Sequence, residues 1–493
     1  LIVCGLAISD QSYWIDEAST AVKAGQPTLA KWWLEMMAIK GSDLQMPCYM
    51  VFAWAWEKLV GLNEYALRAG NAPWFLLGLI ATFRALNASR LQKCLALVAL
   101  SSPLIWQYLN EARPYAMQIG MSSVVFFSLY RLGLEQKASP RERYWIVALC
   151  LGSLVLAASS MLAMLWLGAY WMAAMLSTSL HHLRRLVQKY WVDWALTLTL
   201  LFGVGLYYLW TLKAGGRAAT LEHATGFKNV LFIFYELLGF SGLGPGRLII
   251  RTGGLHSFLP WLPWLGIYAT LLLPVLVLGW RRIAAIIPRR TLICWTSAFV
   301  SVTMFILAIG VAVGFRVLGR HCLPVLPPVL FLLAMGLAAL WDQRNRAARG
   351  IGVAFLTLSL LSSLSLRFSE RHAKDDYRDA AALGRKALAR GESVWWSADL
   401  EGAEVYHLPV TRTLETTNAA LVVVNPSEKL LKNLPVPDLV LVSKPDLYDG
   451  SGALANYLVR SGFQQTMTLS AFTAWQPLRR LNAPAGAARV GGL

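Results

Sequence analysis

Two carboxylates stand side by side in Trp14-Ile15-Asp16-Glu17-Ala18, just after the apolar run Leu1 to Ile8. A third acid, Glu111, lies two residues from a guanidinium in Asn110-Glu111-Ala112-Arg113-Pro114. Arg316 and Arg320 share a short polar stretch with His321. Charge at a lipid surface is solvated cheaply, whereas in mid-bilayer each costs about 3 kcal/mol or more. Carboxylates beside guanidinium groups at such a surface suit transfer of a group from an amphiphilic phosphate. Arginines would grip the phosphate bidentately and stabilise its growing charge as it leaves. A carboxylate would take the proton from the attacking hydroxyl. One displacement with the base opposite the leaving group would invert the sugar carbon. Hydrolysis of a glycosidic bond by two carboxylates uses the same residue types, but it leaves the arginines without work. Each group also has a plain reading: an acid after a helix is most often a solvated end, and an arginine near headgroups often only snorkels.

The chain that must position these groups has 493 residues, 56% hydrophobic and 15% charged, with mean hydropathy +0.49. Soluble domains carry about 25% charged residues, so this is an α-helical polytopic membrane protein. Its 21 Trp suit interfacial belts. The formal charge of +18 lies mostly in short clusters between apolar runs. That is the positive-inside pattern, and it calls for membrane lipids and no nucleic acid. Six scattered Cys make no CxxC and no metal spacing, and none follows Cys322.

Apolar runs at Ala66 to Leu86, Leu91 to Leu109, Tyr115 to Leu132, Tyr144 to Ala158 and Met161 to Leu180 read as spans. So do Trp194 to Leu212, Trp261 to Trp280, Leu292 to Phe315, Leu323 to Trp341 and Ile351 to Leu366. With a first helix expected to begin before Leu1, the total is about eleven. Residues 10–62 form a first outer loop, with interfacial helices over Ala18 to Ile39 (Lys23, Lys31 and Lys40 among Trp32, Trp33, Met36 and Met37) and from Pro47 to Leu62. Arg90 and Lys93; Arg131, Lys137, Arg141 and Arg143; Arg184, Arg185 and Lys189; Arg281, Arg282, Arg289 and Arg290; and Arg344, Arg346 and Arg349 occupy alternate loops. They mark the cytoplasmic face. The opposite face then receives Asp16, Glu111, the long loop 213–260, Arg316, Arg320 and everything after Leu366. Two arginines in a short outer loop run against the rule, and a bound anion would account for them. On this topology, 1–366 is the membrane domain. Residues 367–481 alternate helix and strand signals, with Val394-Trp395-Trp396, Leu421 to Val424 and Leu439 to Val442 as strands, and form a small α/β domain. The tail 482–493 is Ala/Gly-rich and reads as loose.

Other motifs fail. There is no GxGxxG after a strand, no Walker A and no HExxH. Gly242-Leu243-Gly244-Pro245-Gly246 reads as a turn, since no P-loop lysine follows it. No His/Asp cluster has ligand spacing, so no metal or other cofactor is called for, although a divalent ion is compatible.

Several segments occur in one order: Trp14 to Ala18, Pro47-Cys48-Tyr49, Gly61 to Arg68, Glu111 to Ala116, Gly319 to Pro324, and Lys374 to Arg378. Together they resemble the bacterial glycosyltransferase family 39 proteins of the GT-C superfamily, whose relatives include the lipid A aminoarabinose transferase and the protein O-mannosyltransferases. The resemblance covers nearly the whole chain, though each motif alone is short. It implies a multi-pass protein of the bacterial inner membrane with its active site and C-terminal domain in the periplasm. The implied activity is an inverting transfer of a sugar from a polyprenyl phosphate to a hydroxyl of lipid A, a lipid-linked glycan, an exopolysaccharide or a protein. By the same resemblance Asp16 would be the base with Glu17 beside it, and Glu111 would orient donor or acceptor. Arg113, Tyr115 and Arg320, with Arg316 and His321 nearby in sequence, would face the phosphate and sugar. Gln45, Tyr49 and Arg68 would border the pocket. Gln45 stands where many relatives carry His, which leaves that contact unassigned.

Two other classes compete. A lipid or polysaccharide transporter or flippase would use the same outer cavity without covalent chemistry, but coupled transporters carry ionisable groups near mid-span, and these spans hold almost none. A structural subunit would use the α/β domain for docking.

Overall fold

The computed structural model describes residues 1–39, 41–134, 141–214, 225–413 and 418–478. Lys40, Lys137, part of the loop 213–260 and the tail 482–493 lie outside the described residues. The chain divides into two compact units: 1–10 with 23–373, and 11–22 with 374–493.

The first unit is helical. Six helical segments are long and apolar enough to cross a membrane: Glu142–Ser159, Trp191–Ala214, Arg247–Ile286, Arg289–Val313, Gly319–Asp342 and Arg346–Phe368. The bent pair Met161–Ser177 and Leu180–Lys189 makes up to seven among the described residues, against about eleven expected from hydropathy. Local chemistry explains the difference. The run Ala66 to Leu86 divides at Gly70 into Glu64–Ala69 and Asn71–Ala85, and Asn63 caps the first piece. The run Leu91 to Leu109 breaks at Ser101-Ser102 into Ser89–Leu100 and Pro103–Leu109, with Pro103 opening the second helix. Tyr115–Leu134 is long enough but carries Gln118, Ser122, Ser123, Ser128 and Arg131. Within residues 10–62 the stretch Ala18 to Ile39 divides into the helices Ile15–Ala24 and Leu29–Ile39, and Pro47 opens the helix Pro47–Val60. The 14 residues of the latter measure roughly 21 Å, short of a 30 Å hydrocarbon layer.

Tyr115–Leu134 forms the centre of this unit, packed by Asn71–Ala85, Glu142–Ser159, Met161–Ser177 and Leu326–Asp342. It meets Asn71–Ala85 where Gly78 and Gly120 touch: a Cβ on Gly78 would sit 2.9 Å from the Gly120 Cα. Gly279 and Gly336 play the same part between Leu262–Ile286 and Leu326–Asp342. Small residues let backbones approach, which is how apolar helices gain contact where water drives nothing together.

The second unit holds a six-stranded sheet: β1 Val394–Ser397, β2 Val410–Thr411, β3 Ala420–Val422, β4 Leu439–Ser443, β5 Phe463–Thr468 and β6 Phe472–Pro477. The order is β2-β3-β1-β4-β6-β5, with β2, β3, β1 and β4 parallel and β6 and β5 antiparallel. Strands β1 and β4 are buried along their whole length, as parallel centres must be. Helix Tyr377–Ala389 covers one face with Tyr377 against Trp396 and Phe472. Helices Glu428–Asn433 and Ala453–Arg460 cover the other through Leu431, Leu454 and Leu458. Ile15 packs into the first of these cores, so Gln11 to Val22 belongs to the sheet unit.

Candidate functional site

In the first unit, the turn between Pro103–Leu109 and Tyr115–Leu134 is held rigid before it presents any charge. Asn71 Nδ2 donates to the carbonyls of Tyr108, Leu109 and Glu111 at 3.3, 3.2 and 2.6 Å. Asn110 Oδ1 accepts from the backbone and hydroxyl of Ser9 at 2.8 and 2.9 Å, and the buried Arg68 donates to the Ser9 carbonyl at 2.8 Å. Arg68 thereby braces this turn.

From that platform two side chains leave in different company. Arg113 donates to Asp43 at 2.7 Å, and the other Asp43 oxygen lies 2.8 Å from Lys23 Nζ. All three are buried, with two cations on one carboxylate. Glu111 Oε1 accepts from Arg247 at 3.2 Å, while Glu111 Oε2 is buried and takes no hydrogen bond from the described residues. Such an oxygen costs about 1–3 kcal/mol unless a ligand or water serves it. Arg247 also reaches Glu236 at 4.0 Å, and Glu236 accepts the Gly319 amide at 2.8 Å. A Cβ at Gly319 would collide with Glu236. Burial raises the Glu236 carboxyl above its ordinary range, opposed by Arg247, the Gly319 amide and Arg320. The result is a cluster of two buried carboxylates with Arg247 half-exposed between them and Arg320 near.

The glycine-rich turn supplies the aim of Arg247. Arg371 donates to the carbonyls of Gly242 and Gly244 at 2.9 and 3.2 Å and to Ser365 Oγ at 2.6 Å. Its guanidinium lies 4.2 Å from the Trp261 ring centroid. A side chain at Gly242 or Gly246 would strike the backbone of Ser362 or Arg371. Gly242 to Gly246 is thus a clamped turn that hands the chain into Arg247–Gly253 at a set angle.

The remaining candidates are distributed. His321 Nδ1 accepts the Leu318 amide at 3.0 Å and its carbonyl takes Trp166 Nε1 at 2.8 Å, so it caps its own turn. Arg316 is exposed. Tyr115 lies 4.7 Å, ring to ring, from Tyr108. Gln45 ends the 3-10 turn Ser42–Gln45 and is half-buried, and Tyr49 is buried beside Phe52 at 6.3 Å. Asp16 and Glu17 belong to the second unit, in the first turn of Ile15–Ala24, where the helix dipole favours acids. Glu17 is buried, accepts the Trp14 amide at 3.3 Å and pairs with Lys374 at 2.8 Å. Asp16 is half-exposed.

Sequence reasoning missed Asp43, Lys23, Glu236 and Arg247. Asp43 falls between the two stretches read as interfacial helices and carries no signal of its own, and Lys23 reads as an interfacial cation. Glu236 and Arg247 lay in a long loop whose glycines gave the only signal of order. Among the described residues no group of three or more His, Cys, Asp or Glu is placed to hold a metal.

No protein-family model and no curated protein sequence matches the chain. Two solved structures do match in three dimensions, both of ArnT from Cupriavidus metallidurans. The apo form has TM-score 0.52 and 16% identity, and the form bound to undecaprenyl phosphate has TM-score 0.50 and 15% identity. Each alignment covers 98% of this chain and 97% of the other. Helical spans followed by a small sheet unit, matched from end to end, give this chain the GT-C fold of a polytopic membrane protein.

Proposed function

We propose that this chain is an inverting glycosyltransferase that moves a sugar from a polyprenyl phosphate to a hydroxyl acceptor at the periplasmic face of the bacterial inner membrane. The observation carrying the reading is the buried Glu111, which holds Arg247 through one oxygen and takes no hydrogen bond on the other from the described residues. The fold shared with a protein that binds undecaprenyl phosphate supports the choice of donor. In this reading Arg247 and Arg320 bind the donor phosphate, and Glu111 orients a sugar hydroxyl. Asp16, half-exposed at a helix start, is the general base. The acceptor oxygen forms the new bond to the anomeric carbon as the carbon–phosphate oxygen bond breaks. The polyprenyl phosphate leaves with the electron pair, and the acceptor proton passes to Asp16. The arginines supply the charge stabilisation, so turnover is expected to survive chelation of divalent metal.

The test compares the lipid-linked and envelope glycans of cells carrying wild type, D16N or no protein, by mass spectrometry. A sugar adduct made by wild type and lost in D16N at equal expression supports the reading. Identical covalent pools in all three, with material nevertheless moved across the membrane, would leave a transporter instead. Orientation is checked by a membrane-impermeant thiol reagent, which should label R316C from outside and miss R143C.

A further inference from the structure

The helix Leu180–Lys189 has no part in that chemistry. It follows Met161–Ser177 across a short break and turns from it by 120°. Ser179 caps it by accepting the His182 amide at 3.3 Å. One side is fastened to the protein. Arg185, Lys189 and the Tyr190 hydroxyl donate to the buried Glu142 at 2.6, 2.9 and 3.1 Å. His182 Nε2 lies 3.0 Å from the Leu132 carbonyl oxygen, and Leu186 is buried. The roll of the helix is thereby set.

The opposite side presents positions 180, 184 and 187, one stripe by helical spacing, and Trp191 opens the next helix, Trp191–Ala214. Leu180 is 84% exposed, Val187 51% and Trp191 64%, and Arg184 is exposed among them. Arg290 donates to the Leu176 carbonyl at 3.1 Å, which puts a second exposed guanidinium beside the bend, with Arg289 next to it. The neighbourhood holds Arg184, Arg185, Lys189, Arg289 and Arg290 against the carboxylates Glu142 and Asp193, so cations exceed anions. An exposed apolar stripe followed directly by an exposed tryptophan fits the boundary between headgroups and acyl chains. Cations left over at that depth fit phosphate on the same molecules.

We propose that Leu180–Lys189 lies flat in the headgroup layer, and that Arg184 and Arg290 form a site for an anionic phospholipid. The stripe selects a lipid over a free anion, because Leu180 and Val187 need an acyl chain beside the phosphate. A zwitterionic headgroup would bring its own cation among the arginines.

The full chain in detergent is titrated with cardiolipin, or with phosphatidylcholine of the same acyl chains, and lipid retention is read by native mass spectrometry. Wild type should prefer cardiolipin, and R184Q/R290Q should lose about fivefold of that preference per arginine at an unchanged melting temperature, since both side chains are exposed. V187E, which sets a carboxylate in the stripe, should weaken cardiolipin retention as well. Millimolar inorganic phosphate should not displace the lipid. Equal retention of the two lipids by wild type, an unchanged preference in both variants, or stripping by phosphate alone would each overturn the proposal.

Discussion

Glu111 accepts a hydrogen bond from Arg247 at 3.2 Å across 136 residues of sequence. Glu236 stands on the other side of the same guanidinium at 4.0 Å. Removing Arg247 leaves two buried carboxylates facing each other, and it removes the cation assigned to the donor phosphate. R247A should lose about 1–3 kcal/mol of stability and bind undecaprenyl phosphate at least about tenfold more weakly, since a charge-assisted hydrogen bond is worth that much. R247K keeps the charge but lacks the planar fork, so it should recover only part. Wild-type affinity in R247A, measured with the phosphate and with undecaprenol as control, would remove Arg247 from the site.

The raised Glu236 carboxyl gives a pH signature. For an acid whose folded pKa is raised, the stability contribution is full below its unfolded value of about 4.3 and is lost as pH rises through the folded pKa. Burial is the largest cause. E236Q keeps an acceptor for the Gly319 amide and cannot ionise. Its melting temperature should therefore decline less than that of wild type over this interval, and parallel curves would contradict the assignment.

Asp16 and Glu17 are neighbours with different prospects. Glu17 is buried and paired with the half-buried Lys374, so E17A should cost about 1–3 kcal/mol by removing a buried charge-assisted hydrogen bond. D16N keeps the shape of the side chain and should cost less than about 1 kcal/mol of stability, while abolishing transfer. Thermal unfolding of both variants decides this, and equal damage to fold from each would erase the distinction.

Helix contact predicts a pair of opposite outcomes for one substitution. A methyl group at Gly120 meets the Trp74 backbone, whereas at Gly168 nothing lies within 4 Å. G120A should destabilise the first unit by about 1–3 kcal/mol or more, and G168A should be neutral or slightly stabilising, because alanine favours helix. Melting in detergent separates them.

In the sheet unit, Asp399 caps Leu400–Val405 through the Gly402 amide at 3.1 Å. Burial and then Glu401 push its carboxyl up to about 6. Its contribution is full below the unfolded value of about 3.9 and is lost as pH rises through the folded value of about 6. D399N preserves the cap and should flatten the pH dependence of hydrogen exchange of residues 394–405 between about pH 4 and 6, whereas D399A also flattens it but loses the cap, about 1 kcal/mol relative to D399N. Exchange that is equally pH-dependent in D399N would place the titration elsewhere.

The membrane character, the alternation behind β1, β3 and β4, and the placing of Asp16 and Glu111 beside helix ends were all legible in the chain. Hydropathy and periodicity are sums over neighbouring residues, and neighbours are what a sequence displays. The number of spans was less legible, because Pro103, Gly70 and Asn63 interrupt apolar runs with local backbone chemistry that a hydropathy average smooths away.

Partners were not legible at all. Nothing near Asp43 announces Lys23 and Arg113, and nothing near Glu17 announces Lys374, 357 residues away. The sequence by itself determined which charges stay near the ends of apolar helices, since solvation depends on depth alone. Only the tertiary structure decided which carboxylate is consumed by an ion pair and which keeps an oxygen clear. That outcome depends on where the path of the chain returns, over a Coulomb range of a few ångströms.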